Sequence, residues 1–326
     1  MIGVVLANLG TPDSPSLPDV RRYLREFLLD KRIVPMPHAV WRPILELNVL
    51  QFHARGSAAK YASVWLEEGS PLLVHARAQE AALQAALGDG YRVKTGMRYG
   101  QPSLAAALDE LRGDGVGRVL VVPMYPQFST TTVATVLDAL GGYIQGSVDQ
   151  FEYRATRAFH DHPGYIEAAA WRIEQTWEDE GRPDFAAGDK LLLSYHGIPA
   201  SMAADGDPYP KECEQTTDLL RRRLGLTPDQ CEQTYQSKFG KGAWLTPATI
   251  DRVAELGRAG LGRLDVFCPG FVADCLETCE EIGILNRETF AEAGGGRFVR
   301  VPCLNEAPLF IDALADLVAR HTSGWE

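Results

Sequence analysis

The chain has 326 residues, of which 45% are hydrophobic and 23% are charged. This composition excludes a disordered chain, and the length suits two domains of about 150 residues each. The 32 basic and 43 acidic side chains give a formal net charge of −11, which argues against nucleic acid as a partner and against a general electrostatic attraction to anionic lipid.

Strands and helices alternate along the chain. The near-continuous Val, Leu and Ile runs are typical of parallel strands that are covered on both faces. The alternation predicts an α/β fold with doubly wound parallel sheets, in which functional groups lie on loops at the carboxyl ends of strands. In chain order we predict a strand at 2–7, helices at about 20–28 and 72–87, a strand at 91–97, a helix at 103–112, a strand at 119–123, helices at 131–143 and 164–178, a strand at 190–195, a helix at 211–224, a strand at 233–237, a helix at 247–259, a strand at 264–268, and helices at 273–293 and 307–320.

A weak internal repeat relates the two halves of the chain. Matching segments occur in the same order in both halves, at 4–12 and 191–199, 97–100 and 237–240, and 121–123 and 267–269. The repeat predicts two similar α/β halves. We expect an N-terminal half over 1–155, a C-terminal half over 156–304, and a final helix within 305–326 that packs back on the N-terminal half.

The first half contains an insertion at roughly residues 30–75, between its first two strands. Residues 33–45 of this insertion are apolar, aromatic and interrupted by prolines, with no clear helical or strand period. Such a segment could form a lip over a large apolar ligand, touch a membrane surface, or pack against its own domain. Composition alone leaves these three interpretations open.

His196 is the first candidate for chemistry, because it follows an apolar strand directly and precedes turn residues. Open α/β sheets place ligand-binding groups at this point. An imidazole can bind a divalent metal or transfer a proton near neutral pH. The alternative is a histidine that only hydrogen-bonds to the end of its strand.

The predicted helix at 273–293 provides a second candidate. On an ideal helix Asp274, Glu277, Glu281 and Glu288 fall within about 60° of arc. Such a row is usually the solvated face. However, it begins directly after a strand, as His196 does, and clustered carboxylates favour a cation or a proton among them.

Further aromatic and polar side chains lie at or shortly after predicted strand ends. Arg98, Tyr99, Tyr125 and Trp244 could line a ligand site, although each taken singly is more often a packing residue. The chain has no G-x-x-x-x-G-K-[ST] segment, and no G-x-G-x-x-G follows the first strand, so the phosphate-binding motifs are missing.

Nine segments together resemble the ferrochelatase family of class II chelatases. Their amino-acid sequences are most similar to those of the ferrochelatases of Gram-negative bacteria. They include SYHGIP at 194–199, YQSKFG at 235–240 and CPGFVADCLET at 268–278. The resemblance covers nearly the whole chain. The other segments lie at 6–12, 69–72, 97–99, 125–129, 206–210 and 244–247.

The resemblance implies an active-site cleft between two Rossmann-like halves, where ferrous iron is inserted into protoporphyrin IX in the last step of haem biosynthesis. It implies that His196 and Glu277 are catalytic, and that Glu281 and Asp274 join them as metal ligands on a partly π-helical segment. The positions that it implies line the macrocycle are Leu9, Arg98, Tyr99, Tyr125 and Trp244. Residues 30–45 match the lip over the cleft, where a peripheral membrane contact is also expected.

Iron is expected as a substrate, with no organic cofactor. The start of the chain lacks the basic region of a signal peptide, and no apolar run reaches the length of a membrane span, so we expect a cytoplasmic protein with reduced thiols. Some relatives carry a [2Fe–2S] cluster, and Cys213, Cys231, Cys279 and Cys303 are enough for four ligands. Because they include no closely spaced pair, we expect no cluster.

Three alternatives stay open for the function. The chelatase could use coproporphyrin III with iron, or it could insert cobalt or nickel, because a His/Glu site binds several divalent ions. A non-catalytic, two-lobed tetrapyrrole-binding protein could share the architecture. The pairing of His196 with Glu277 argues against the last alternative.

Overall fold

A computed structural model of the chain describes residues 1–238 and 242–325. The chain divides into two units. The first contains Met1–Tyr125, Ser129–Ala158 and the residues from Leu314 onward, and the second contains Pro126–Phe128 and Phe159–Ala313.

The first unit is built on a parallel four-stranded sheet with the strand order β2-β1-β3-β4. Val4, Val5 and Leu6 of the central strand β1 are all fully buried, so both faces of the sheet are covered, as the uninterrupted apolar run predicts. The strands are β1 (Ile2–Thr11), β2 (Tyr91–Gly100), β3 (Arg118–Pro123) and β4 (Glu152–Ala155). The helices are α1 (Leu17–Leu28), α2 (His38–Ile44), the π-helix π1 (Leu45–His53), α3 (Ala54–Val64), α4 (Pro71–Leu87), α5 (Leu104–Gly113) and α6 (Val133–Gly146).

The second unit repeats this topology with the order β6-β5-β7-β8, again parallel throughout. The predicted α/β class and the two similar halves are therefore confirmed. The strands are β5 (Lys190–His196), β6 (Cys231–Gln236), β7 (Arg263–Phe267) and β8 (Arg297–Arg300). The helices are α7 (Pro163–Glu180), α8 (Ala200–Ala204), α9 (Tyr209–Leu224), α10 (Thr249–Arg258), the π-helix π2 (Glu277–Asn286), α11 (Arg287–Glu292) and α12 (Pro308–Thr322).

The C-terminal segment ends in the first unit, although α12 begins in the second. The Thr322 and Tyr91 hydroxyls are 3.1 Å apart, and the Arg154 guanidinium lies 4.3 Å from the centre of the Trp325 ring. These contacts attach the last residues to β2 and β4. Among the residues that the structure describes, no helix is both long and apolar enough to cross a membrane.

The structure differs from the predicted elements in three places. The edge strands β4 and β8 were not predicted, because each has four residues and a polar composition, and an edge strand needs little apolar surface. Residues 38–64 of the insertion are helical, whereas we predicted no period for 33–45. The helix predicted at 273–293 begins later and consists of π2 followed by α11.

Candidate active site

His196 is the last residue of β5, which lies between β6 and β7 in its sheet. Its imidazole is half-buried, with Nδ1 2.7 Å from the Gly197 carbonyl oxygen and its ring centre 6.3 Å from that of Phe271. Because a carbonyl oxygen can only accept, Nδ1 carries the proton in this contact. In the neutral ring the lone pair therefore lies on Nε2, which is available for a metal or a proton.

Glu281 lies beside His196 in π2 and is held by Ser237, the residue that follows β6. The Ser237 N–H donates to Oε1 (2.7 Å), and its hydroxyl donates to Oε2 (2.5 Å). Ser237 has a left-handed backbone with φ of 65°, a conformation that costs a non-glycine residue free energy and that these two bonds help to stabilise. A φ of this sign ends the strand at Gln236, one residue earlier than predicted.

The pKa of Glu281 shows which charged groups surround it. Burial raises this pKa above its usual range, the two bonds from Ser237 and the charge of His196 lower it, and the Glu277 carboxylate raises it. The net direction is upward. His196 and Glu277 are therefore both close enough to Glu281 to act on its charge.

Glu277 begins π2 and is half-buried. A π-helix turns less per residue than an α-helix, so the arc calculated for the carboxylates on an ideal helix does not apply. Asp274 lies before the helix rather than on it, and Glu288 is exposed in α11. Of the predicted row, Glu277 and Glu281 both lie in π2, and Glu281 interacts electrostatically with both His196 and Glu277.

Asp274 is buried and forms an ion pair with Arg300, at 2.6 Å. One carboxylate oxygen also accepts from the Thr278 hydroxyl (2.9 Å), and the other accepts from the Asn305 amide (3.0 Å). These contacts fasten the start of π2 to the segment after β8. The metal-binding role expected for Asp274 stays a prediction. In the described ranges no three His, Cys, Asp or Glu side chains form a group that could hold a metal ion.

Trp244 packs next to His196 in the same unit. Its main chain bridges to Pro199, and the Leu245 N–H donates to the Ile198 carbonyl (3.1 Å). A Cβ at Gly197 would lie 3.3 Å from the indole ring and 2.9 Å from the carbonyl oxygen of Gln236. Glycine at 197 therefore lets the half-buried Trp244 ring lie beside the end of β5.

In the first unit, Leu9 and Tyr125 are directly connected. The Leu9 N–H donates to the Tyr125 hydroxyl at 2.8 Å, and both side chains are half-buried, so each keeps some accessible surface. They lie near the carboxyl ends of β1 and β3, where ligand-binding groups are expected.

Arg98 and Tyr99, by contrast, are bound to an aspartate that we did not predict. The Oδ2 atom of Asp30 accepts from Arg98 Nη2 (2.6 Å), from the Tyr99 hydroxyl (2.9 Å) and from the Thr135 hydroxyl (2.6 Å). Burial raises the pKa of Asp30, but these bonds, the Arg32 N–H and the Arg98 charge outweigh it and lower the pKa. Tyr99 is 0% exposed and packs edge-on against Phe27, so it lies behind the surface.

All six cysteines are free thiols, and five are buried. Burial raises the pKa of Cys231 to about 12 and raises those of Cys213, Cys279 and Cys303 as well. A raised pKa keeps these groups protonated at neutral pH, which is the less reactive form.

The fold resembles that of solved chelatases. SirB from Bacillus subtilis with Fe³⁺ superposes with a TM-score of 0.61 at 9% identity, over 99% of this chain and 96% of that one. The sirohydrochlorin chelatase SirB from Bacillus subtilis subspecies spizizenii in complex with cobalt gives 0.55 at 8% identity, over 99% and 97%. At this identity the likeness concerns the fold alone.

Two α/β units, each built on a four-stranded parallel sheet, are the fold that this chain shares with the solved chelatases. The sequence model of the ferrochelatase family matches residues 1–322, nearly the whole chain. The chain belongs to the ferrochelatase family, and the predicted resemblance is confirmed. It is a metal-insertion enzyme that acts on a tetrapyrrole.

Proposed function

We propose that the enzyme inserts ferrous iron into protoporphyrin IX and forms protohaem. The observation that carries this proposal is that His196, whose Nδ1 is bonded to the Gly197 carbonyl, lies at a strand end and interacts electrostatically with the buried carboxylate of Glu281. Insertion releases two protons from the pyrrole nitrogens for each metal that enters, so the site needs a proton acceptor and a route outward. His196 is suited to accept a pyrrole proton, and Glu277 is suited to pass it on.

The same groups suit the incoming metal. Imidazole nitrogen and carboxylate oxygen bind divalent first-row ions, so iron is a reasonable substrate for an enzyme that carries these side chains, although among the described residues they do not form a ready-made metal-binding group. The exchange of a metal for two protons involves no change of oxidation state, so it requires no organic cofactor. The six free cysteines agree with a reducing cytoplasm as the place of reaction.

The macrocycle is a flat apolar ring, and we propose that Leu9 and Tyr125 of the first unit contact it directly, while ring binding by Trp244 of the second unit stays a prediction. Their accessible apolar and aromatic surfaces suit such a ring. Arg98 and Tyr99, which we expected to line the macrocycle, are fixed by Asp30 in this structure. We propose that these two side chains support the ring-binding surface from behind.

Anaerobic turnover with Fe²⁺ tests the proposal, with protoporphyrin and coproporphyrin as competing tetrapyrroles and with Co²⁺ and Ni²⁺ as competing metals. We expect His196→Ala to abolish insertion while porphyrin still quenches protein fluorescence. His75→Ala, in α4 of the other unit, is the matched control. Turnover of His196→Ala within roughly tenfold of the wild type, a barrier change of about 1.4 kcal/mol, would remove His196 from the mechanism. Binding without any turnover by the wild type would identify a carrier.

The inserted helices also suggest where the enzyme contacts a membrane. The exposed apolar side chains of α2 and π1, here called the lip surface, are Val40, Ile44, Leu47 and Phe52. Leu47 and Phe52 are 74% and 73% exposed, which is unusual for large apolar side chains. Trp41, in contrast, points inward and donates from Nε1 to the Leu28 carbonyl (2.6 Å), so it anchors the lip.

The charge around the lip surface is opposite to that of the whole chain. Between residues 31 and 60 the only acidic residue is Glu46, which is paired with Arg25. The basic residues there are Lys31, Arg32, Arg42, Arg55 and Lys60, of which Arg32 is paired with Asp138. Apolar side chains surrounded by basic ones fit an anionic lipid surface, so we propose peripheral binding to such a membrane.

Co-sedimentation with vesicles tests this surface. We expect binding to phosphatidylglycerol vesicles that weakens with salt, and that is lost in a Leu47→Ser/Phe52→Ser variant. Leu309→Ser, at an exposed leucine of α12, is the control. Equal vesicle binding by the double variant and the wild type would contradict a membrane role. So would analytical ultracentrifugation that shows a dimer for the wild type and a monomer for the double variant, because the lip surface would then be a dimer interface.

A further inference from the structure

Gln236, the last residue of β6, is only 2% exposed, and both the oxygen and the nitrogen of its amide are hydrogen-bonded. Its Oε1 accepts from the Ser194 hydroxyl (2.8 Å) and from the Cys268 thiol (3.3 Å). Two donors aimed at one atom fix the orientation of an amide. The NH₂ group must then face the other way, and it donates to the main-chain oxygen of Glu277 (3.2 Å).

The main chain of Gln236 is tied to the same site. It lies opposite His196 in the parallel register of β5 and β6, and its carbonyl accepts from the Gly197 N–H (2.7 Å). The next residue, Ser237, holds Glu281. One buried glutamine is thus bonded, directly or through its neighbour, to the elements that carry His196, Glu277 and Glu281.

We propose that Gln236 is a positioning residue for metal insertion, a role that rests on the proposed function. Its amide stabilises the first turn of π2 through the Glu277 carbonyl and so sets the distance between the Glu277 carboxylate and His196. π-Helices are rare, and this one begins at the residue whose carbonyl Gln236 binds, so we infer that the bond helps to hold the π form. Without it, π2 can relax toward α-helical geometry, which rotates Glu277 relative to Glu281.

Two variants and one control test this role. Gln236→Met keeps the size but removes the donor, and Gln236→Glu keeps the shape and can donate only when protonated. Gln233→Met is the matched control, because Gln233 lies on the same strand and donates to the Tyr235 hydroxyl (2.6 Å), away from π2.

We expect Gln236→Met to lower kcat roughly 100-fold, which is the loss of rate expected when a catalytic group is displaced by about 1 Å. The KM for the tetrapyrrole should stay nearly unchanged. For Gln236→Glu we expect kcat to fall as pH rises over a range where the wild type is constant, because deprotonation removes the donor. Amide exchange in π2 should accelerate in Gln236→Met and stay normal in Gln233→Met.

Wild-type kcat in Gln236→Met, or equal losses in Gln236→Met and Gln233→Met, would overturn the positioning role. If Gln236→Met does not fold, the pH profile of Gln236→Glu decides, and a wild-type profile overturns the proposal. Absence of turnover by the wild type would refute the proposed function instead, and the exchange of π2 would still show whether Gln236 holds the helix.

Discussion

Replacing Asp30 by asparagine perturbs a carboxylate of the first unit that accepts four hydrogen bonds. Its Oδ2 accepts from Arg98, Tyr99 and Thr135, and its Oδ1 accepts from the Arg32 N–H (2.7 Å). The side chains of Asp30 and Arg98 are 10% and 22% exposed, so their ion pair is little screened by water. Asparagine has the same shape, but its NH₂ group must replace either Oδ1 or Oδ2. The groups that donate to the replaced oxygen then lose their acceptor.

The expected loss follows from the burial of the pair. Removing one partner of a buried ion pair costs about 3–5 kcal/mol. Because asparagine keeps one acceptor oxygen, we expect Asp30→Asn to lose about 3 kcal/mol, toward the low end of that range. The pKa of Asp30 in the folded protein lies below 3.8, the ordinary value for an aspartate. The stabilisation by the ionised carboxylate is therefore fully present above pH 3.8, and it is lost as the pH falls through the pKa of Asp30 in the folded protein.

Asp138→Asn is the matched control for Asp30→Asn. Asp138 binds Arg32 through two short bonds (2.7 and 3.0 Å), but the two side chains are 50% and 40% exposed. An exposed pair contributes about 0–1 kcal/mol, so the same substitution should have little effect.

Hydrogen exchange measures this difference where it arises. The N–H groups of Ile33 and Val34 donate to the Asp30 carbonyl (3.1 and 2.9 Å) and report local opening of the segment before α2. A loss of about 3 kcal/mol should speed their exchange roughly 150-fold in Asp30→Asn and less than about fivefold in Asp138→Asn. Equal acceleration in both variants, or none in Asp30→Asn, would refute the argument from burial.

The other predictions concern the second unit. Glu277→Gln should cost far more insertion activity than Glu280→Gln, because Glu277 acts electrostatically on Glu281; equal losses in steady-state turnover would show that the face of π2 is misassigned. Glu281→Gln should be more stable than the wild type near neutral pH, because the raised pKa of Glu281 means that its ionisation destabilises the folded state. In urea titrations the difference in the free energy of unfolding should shrink as the pH is lowered toward 4.5. A difference that does not change with pH would contradict this prediction. The purified protein should be colourless, whereas a brown preparation whose iron and acid-labile sulfide are lost on cysteine substitution would show a cluster.

The sequence alone determined the features that depend on local pattern. Uninterrupted apolar runs such as 2–7 and 190–195 indicated strands buried on both faces, and the repeated order of segments indicated two similar halves. His196 is predicted as a site residue because its position directly after a strand can be read from the sequence. Glu277 and Glu281 are predicted because they belong to a row of carboxylates that begins after a strand, and because they match the motif of the family.

Only the tertiary structure decided the features that depend on partners far apart in sequence. Asp30 is bonded to Arg98, which lies 68 residues later, and Ser237 to Glu281, which lies 44 residues later. No periodicity marks such pairs, because a hydrogen bond between distant residues leaves no trace in either residue's neighbours. The π form of π2 likewise differs from an α-helix by contacts such as that from Gln236, and not by composition. Local sequence sets which backbone conformations are favourable, but the side chains that meet across the fold determine which of them is stable.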